Sequence, residues 1–225
     1  MKKSAPNEQP HIVVSKDGPY LVSGDVPMAE QTIVTDEEGV SVAWRRGRRY
    51  ESKDGCALCR CGNSKNKPYC DGSHVKVEFD GAETAVREPY REQARTLEGP
   101  GITLTDAEHL CAGARFCDRA GGIWSLVQDS DDPGAKAIAI QEAKDCPSGR
   151  LVVWNDDGTP IEPAFESSFG VVEGPDDGVH GPLWVRGGIP VVSEDGTPYE
   201  VRNRVTLCRC GRSSNKPFCD GSHAE

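Results

Sequence analysis

Aromatic residues make up only 6% of the chain and methionine occurs twice, so little of the sequence is suited to a large single core. Long apolar runs are missing as well. The longest, such as Leu151-Val152-Val153-Trp154, fall far short of the roughly 18 residues that a membrane span needs. The first ten residues carry two lysines with no apolar stretch behind them, and this reads as a cytoplasmic chain. There is no G-x4-G-K-[ST] loop for phosphates. His11, His109 and His180 have no neighbouring nucleophile or carboxylate pattern and read as surface imidazoles, so the expectation is a protein that is not an enzyme. Trp44, Trp124, Trp154 and Trp184 sit among aliphatic or small residues and read as packing residues. What the chain does have is glycine and proline, 25 and 16 of its 225 residues, which favour turns over long buried helices. It also has ten cysteines. In a chain that is not exported, these point to metal ligands rather than to a disulfide framework.

Charge is unevenly spread. Residues 1–95 hold 15 basic and 15 acidic side chains, residues 96–182 hold 5 and 16, and residues 183–225 hold 6 and 5. The acidic middle repels polyanions, which argues against nucleic acid or a membrane surface as partner and leaves a basic protein open. A solvated acidic surface that only aids solubility is the other reading.

The clearest feature is an internal repeat. Residues 58–74, LCRCGNSKNKPYCDGSH, recur at 207–223 as LCRCGRSSNKPFCDGSH, with 14 of 17 positions identical. Upstream of each lies a β-branched run broken by Gly, Pro and Asp, at 12–27 and 183–201, which reads as short strands joined by turns. The chain divides on this basis into a first module at 10–92, an acidic insert at 93–180 and a second module at 182–225.

Each repeat offers three thiols and one imidazole: Cys59, Cys61, Cys70 and His74, then Cys208, Cys210, Cys219 and His223. Such a set suits zinc or an iron-sulfur cluster. The C-x-C and C-x3-H spacings form two pairs, as a 2Fe-2S cluster needs when each iron takes two protein ligands. Pro68 and Pro217 fix φ, Asp71-Gly72 and Asp220-Gly221 favour tight turns whose amides can face sulfur, and Ser64 and Ser213 can donate within the loop. Arg60, Arg209, Lys67 and Lys216 are expected to offset the negative charge of the sulfurs.

Both repeats follow C-x-C-x2-S-x3-P-x-C-D-G-S-H throughout, which resembles the CDGSH iron-sulfur (NEET) proteins. The resemblance implies two 2Fe-2S clusters held by the eight residues just named. It also implies an α+β, β-rich fold in which a β-cap and a ligand loop form each module, and the two modules make a pseudo-dimer within one chain, possible as a monomer. The alternative is a pair of structural zinc ribbons.

In the insert, Cys111-x2-Ala114-x2-Cys117 with Cys146-Pro147 resembles the single-cluster 3Fe-4S ferredoxins and the divergent mono-cluster ferredoxin domain. That resemblance implies a small ferredoxin-like unit with a 3Fe-4S cluster on three thiols, or a 4Fe-4S cluster completed by water, His109 or Asp118. Three small buried residues in a domain without its cluster is the other reading. Strands are predicted at Ile102–Leu104, near Ile123–Val127 and at Leu151–Trp154, with a helix near Ala135–Lys144. Cys56 is left over as a non-ligand thiol.

Two functions follow as expectations: one-electron transfer to or from a redox partner, or storage and donation of 2Fe-2S units to an apo-protein acceptor. A neutral histidine must leave its metal to become fully protonated, so acid is expected to loosen the sites.

Overall fold

The computed structural model describes residues 9–51, 55–175 and 178–224. Five strands come first: β1 (His11–Val14), β2 (Tyr20–Ser23), β3 (Met28–Thr35), β4 (Ser41–Tyr50) and β5 (Cys56–Leu58). Two single-turn helices follow, α1 (Ser73–Lys76) and α2 (Tyr90–Gln93). Strands β6 (Arg95–Glu98) and β7 (Thr103–Asp106), helices α3 (Ile123–Gln128) and α4 (Pro133–Asp145), and strand β8 (Leu151–Trp154) make the middle of the chain. Strands β9 (Ser168–Glu173), β10 (His180–Arg186), β11 (Val191–Val192) and β12 (Arg204–Leu207) complete it.

These strands form three sheets, in the orders β11-β1-β2-β5, β12-β10-β9-β3-β4 and β6-β7-β8. The first two mix strands from the two ends of the chain. Residue Ile12 of β1 pairs in parallel with Val191 of β11, and Met28 of β3 pairs in parallel with Phe169 of β9. Residues 168–173, part of the acidic insert in the sequence division, are thus a central strand of the second sheet.

Alternation explains the packing of the first sheet: Tyr20 and Val22 point inward, while Leu21 between them is 45% exposed. The inward residues of the two sheets share one core that includes Ile12, Val14, Tyr20, Leu58, Val171, Leu183 and Leu207. Strand β10 has no polar face. Its Leu183 and Val185 enter that core, while Trp184 turns the other way onto Trp44, Phe116 and Phe165. Strands β9 and β10 are therefore covered on both sides, whereas β4 at the sheet's edge is largely exposed.

The insert has its own core of Ile102, Leu104, Ile123, Leu126, Val127, Ala139, Leu151 and Val153. Strand β8 and helix α4 match the sequence expectation. The strand expected near Ile123–Val127 does not form; it is helix α3. Its buried residues, Ile123, Leu126 and Val127, recur at i, i+3 and i+4, the helical spacing, and the β-branched composition hid that periodicity. Helix α4 starts at Pro133 with Asp132 as its cap, accepting from the Ala135 amide at 2.8 Å. Among the described residues, no helix is long and apolar enough to cross a membrane.

Candidate metal centres

Each repeat folds into the same hairpin-like loop. In the first, the Cys59 amide donates to Pro68 O at 2.7 Å and the Cys70 amide to Ala57 O at 2.9 Å. In the second, Cys208 donates to Pro217 O at 2.8 Å and Cys219 to Thr206 O at 2.9 Å. Serine closes the loop, as expected: Ser64 Oγ donates to Tyr69 O at 2.6 Å and Ser213 Oγ to Phe218 O at 2.7 Å. The aspartates fasten the other end. Asp71 accepts from the amides of Lys65 and Ser73, and Asp220 from those of Ser214 and Ser222, so both carboxyls are held well below the usual range.

The eight ligand candidates fall into four pairs. Cys59 Sγ and Cys61 Sγ lie 3.9 Å apart, and Cys208 and Cys210 3.7 Å apart. Cys70 Sγ is 3.3 Å from His74 Nδ1, and Cys219 Sγ is 3.4 Å from His223 Nδ1. Backbone amides point at sulfur: Asn63 at Cys61 (3.5 Å), Gly72 at Cys70 (3.4 Å), Arg212 at Cys210 (3.4 Å) and Gly221 at Cys219 (3.5 Å). Thiolate or sulfide charge is stabilised by such donors. Among the described residues, no three or more His, Cys, Asp or Glu side chains are grouped as a single metal ion would require.

The arginines inside the motif are also held by carbonyls remote in sequence. Arg60, fully buried, donates to Gly81 O and Ser15 O beneath the rings of Tyr20 and Phe79. Arg209 donates to Gly181 O, Val172 O and Glu173. Buried guanidinium groups need several acceptors, and these loops supply carbonyls. Lys67 likewise donates to Ser64 O at 3.1 Å. The Cys208 thiol first, and then Arg212, lower the pKa of Cys210; Arg212 replaces Asn63 of the first repeat and the sequence reading passed over it.

The two loops meet each other. Cys61 and Cys210 form an antiparallel bridge, and the glycines beside them pack reciprocally. A Cβ on Gly62 would lie 2.5 Å from Cys210 O, and one on Gly211 2.9 Å from Cys61 O. Both glycines also hold φ near +80°, at 77° and 81°.

In the insert, Cys111, Cys117 and Cys146 line one recess of about 290 Å³ with Pro147, Arg150 and Leu151. Burial first, then the neighbouring Asp118 carboxylate and the Cys146 sulfur, push the Cys117 thiol up to about 12. Metal ligation would offset that cost by replacing the proton. Arg150, forked onto Asp106 at 2.6 and 2.9 Å, lies against Cys111 and brings a fixed positive charge to the recess. No sequence pattern signalled it. Of the two protein groups named for a fourth position, Asp118 lies 3.7 Å from Cys117 Sγ. His109 does not face the recess: its Nε2 is 2.7 Å from Gln93 Oε1, in a separate cavity of about 490 Å³.

The insert touches the second loop. A Cβ on Gly221 would meet Cys111 O at 3.2 Å, and Asn215 Nδ2 donates to His109 O at 3.1 Å. Cys56 stands apart, with its thiol pushed up by burial.

With this geometry in hand, comparison with known families is specific. The family model described as iron-binding zinc finger CDGSH type matches residues 17–75 and 180–224, and the model described as divergent 4Fe-4S mono-cluster matches residues 97–156. No curated protein and no solved structure matches the chain.

Proposed function

We infer that this chain is an iron-sulfur protein, because two CDGSH-type segments match it with a divergent 4Fe-4S mono-cluster segment between them. On that premise we propose that Cys59, Cys61, Cys70 and His74 hold one 2Fe-2S cluster, that Cys208, Cys210, Cys219 and His223 hold a second, and that the protein is a one-electron carrier rather than an enzyme. The observation that carries the reading is the division of each ligand set into a Cys/Cys and a Cys/His pair, without the single focus that zinc would need.

When bound, such a cluster supplies a reversible one-electron couple. The protein's part is to hold it. Four amides aimed at sulfur favour its negative charge, and the interlocked Gly62 and Gly211 support the reading of the two loops as an internal pseudo-dimer. Each histidine faces its cysteine through Nδ1, which leaves Nε2 able to hold a proton when negative charge accumulates beside the ring. Cys111, Cys117 and Cys146 would hold a third cluster in the insert, with Arg150 balancing charge.

Incubation of the iron-loaded protein with an apo-ferredoxin tests carrier against donor. Reversible reduction without iron moving supports the carrier reading; rapid transfer to the acceptor overturns it in favour of cluster donation.

A further inference from the structure

The most concentrated positive charge lies outside both ligand loops. Strand β4 reads SVAWRRGRRY, and Arg45, Arg46, Arg48 and Arg49 are all exposed. Among the described residues none of the four makes an ion pair; Arg48 only stacks over Tyr50 at 5.1 Å. Arg46 faces another cation, Arg186, whose pKa is lowered by burial and by that like charge.

Position makes this more than a solvated stripe. Strand β4 ends its sheet, with β3 as its one neighbour, and Arg45 opens onto a cleft of about 1590 Å³. The opposite wall is the first ligand loop, with Asn63, Ser64, Lys65 and Lys67. Two carboxylates face the same cleft. Glu173 is already held by Arg209 at 3.0 Å and His180 at 2.6 Å, and Glu30, whose carboxylate lies against Gly47 of β4, offsets only part of the charge of the four arginines.

Charge complementarity selects the occupant. A second copy pairing through β4 would set arginine against arginine, which is unfavourable. A long nucleic acid or an anionic bilayer would also meet the repulsion of a chain with net charge −10. A compact acidic protein can meet the exposed arginines along the free edge of β4, whereas Trp44 carries the strand's contact with the insert.

We propose that the β4 edge and its adjoining cleft are the docking surface for an acidic protein partner, whose carboxylates meet Arg45 on the side of the first ligand loop, Arg46 on the side of Arg186, and Arg48 and Arg49 further along the strand. That this partner is the one exchanging electrons rests on the carrier reading above; the docking itself does not.

The test uses the full-length iron-loaded protein and a fluorescein-labelled peptide of about 12 residues alternating Glu with Val and Thr. Comparators are the same peptide with Gln for Glu, a single-stranded oligonucleotide of equal charge, and phosphatidylcholine vesicles containing phosphatidylserine. The acidic peptide should bind at low salt. Its affinity should fall at least about tenfold on changing all four arginines to Glu, fall similarly on raising salt from about 20 to 200 mM, and survive Arg→Lys at the same positions. The Gln peptide should not bind. Unchanged affinity in the Arg→Glu protein overturns the proposal, as does tighter arginine-dependent binding of the oligonucleotide or the vesicles. Self-association of the variant with peptide binding intact also overturns it, by assigning the arginines to guarding a sheet edge. If Arg→Glu prevents folding, the Arg→Gln protein takes its place under the same criteria. Iron per chain is measured on every sample: lost docking with iron retained indicts the surface, whereas lost iron with docking retained indicts the ligand assignment.

Discussion

The two CDGSH loops share a motif and a backbone, yet they sit in different surroundings. In the first, His74 borders an open recess with Asp17, Glu78 and Asp80, and Val75 next to it is 72% exposed. In the second, Cys219 is 2% exposed and the Cys111 backbone lies over Gly221. Burial, followed by the charges of Arg209 and Arg212, lowers the pKa of His223. The motif thus sets which atoms face the metal, while the neighbours set how readily solvent or a partner reaches it. The first site is the accessible one.

The largest expected effect comes from removing a ligand. Cys59→Ser should cost the protein the iron of the first site alone, and Cys208→Ser that of the second, read as iron and sulfide per chain. If either change empties both sites, the two loops are one cooperative unit rather than two.

Next comes the contact between loops. Gly62→Ala pushes a methyl group toward Cys210 O and also strains a positive φ, so a loss of about 2 kcal/mol is expected in denaturant unfolding. Gly72, with φ 84° but nothing within 4 Å of a Cβ, should lose less on the same change. Equal losses would show that strain alone, and not loop interlock, matters at Gly62.

The histidines should separate in acid. Metal release below about pH 6 should begin at the first site, where His74 borders an open recess, and later at the second, where His223 is the more desolvated, followed by the decay of visible absorption in the Cys59→Ser and Cys208→Ser proteins. His223→Cys should slow the acid loss at the second site. It should also flatten that site's potential, which otherwise falls by up to roughly 59 mV per pH unit. An unchanged pH profile in that protein would refute the histidine assignment.

A smaller effect belongs to the insert. Glu142 is fully buried in α4, neither of its carboxylate oxygens has a hydrogen-bond partner, and burial raises its pKa to about 7. The folded state then keeps a proton that the unfolded chain releases near 4.5, so stability is full below that value and declines as pH rises toward 7. Glu142→Gln should raise Tm by a few degrees at pH 7.5 and change it little at pH 4. The same gain at both values would mean that packing rather than ionisation is at issue.

The pairing of the eight candidate side chains was legible because spacing carries it: Cys-x-Cys and Cys-x3-His put four donors on one short loop, and the structure brings them together two by two. Serine closure was legible for the same reason, since its partner lies five residues on, whereas the aspartates were read as turn residues and their acceptance of the Lys65 and Ser214 amides was not. The hydrogen-bond partners of Arg60 and Arg209 were not legible because these acceptors, Gly81, Ser15, Gly181 and Val172, are far along the chain and invisible to local pattern. Helix α3 was lost to its β-branched residues. The mixing of strands from both ends of the chain in two sheets depends on parallel pairing, which leaves no turn signal in the sequence.

Most direct of all is the metal content of the purified, anaerobically handled protein whose three insert cysteines, Cys111, Cys117 and Cys146, are changed to serine. Two diiron sites require about four irons and four sulfides per chain with visible absorption. Colourless protein holding about two zinc ions would contradict the account.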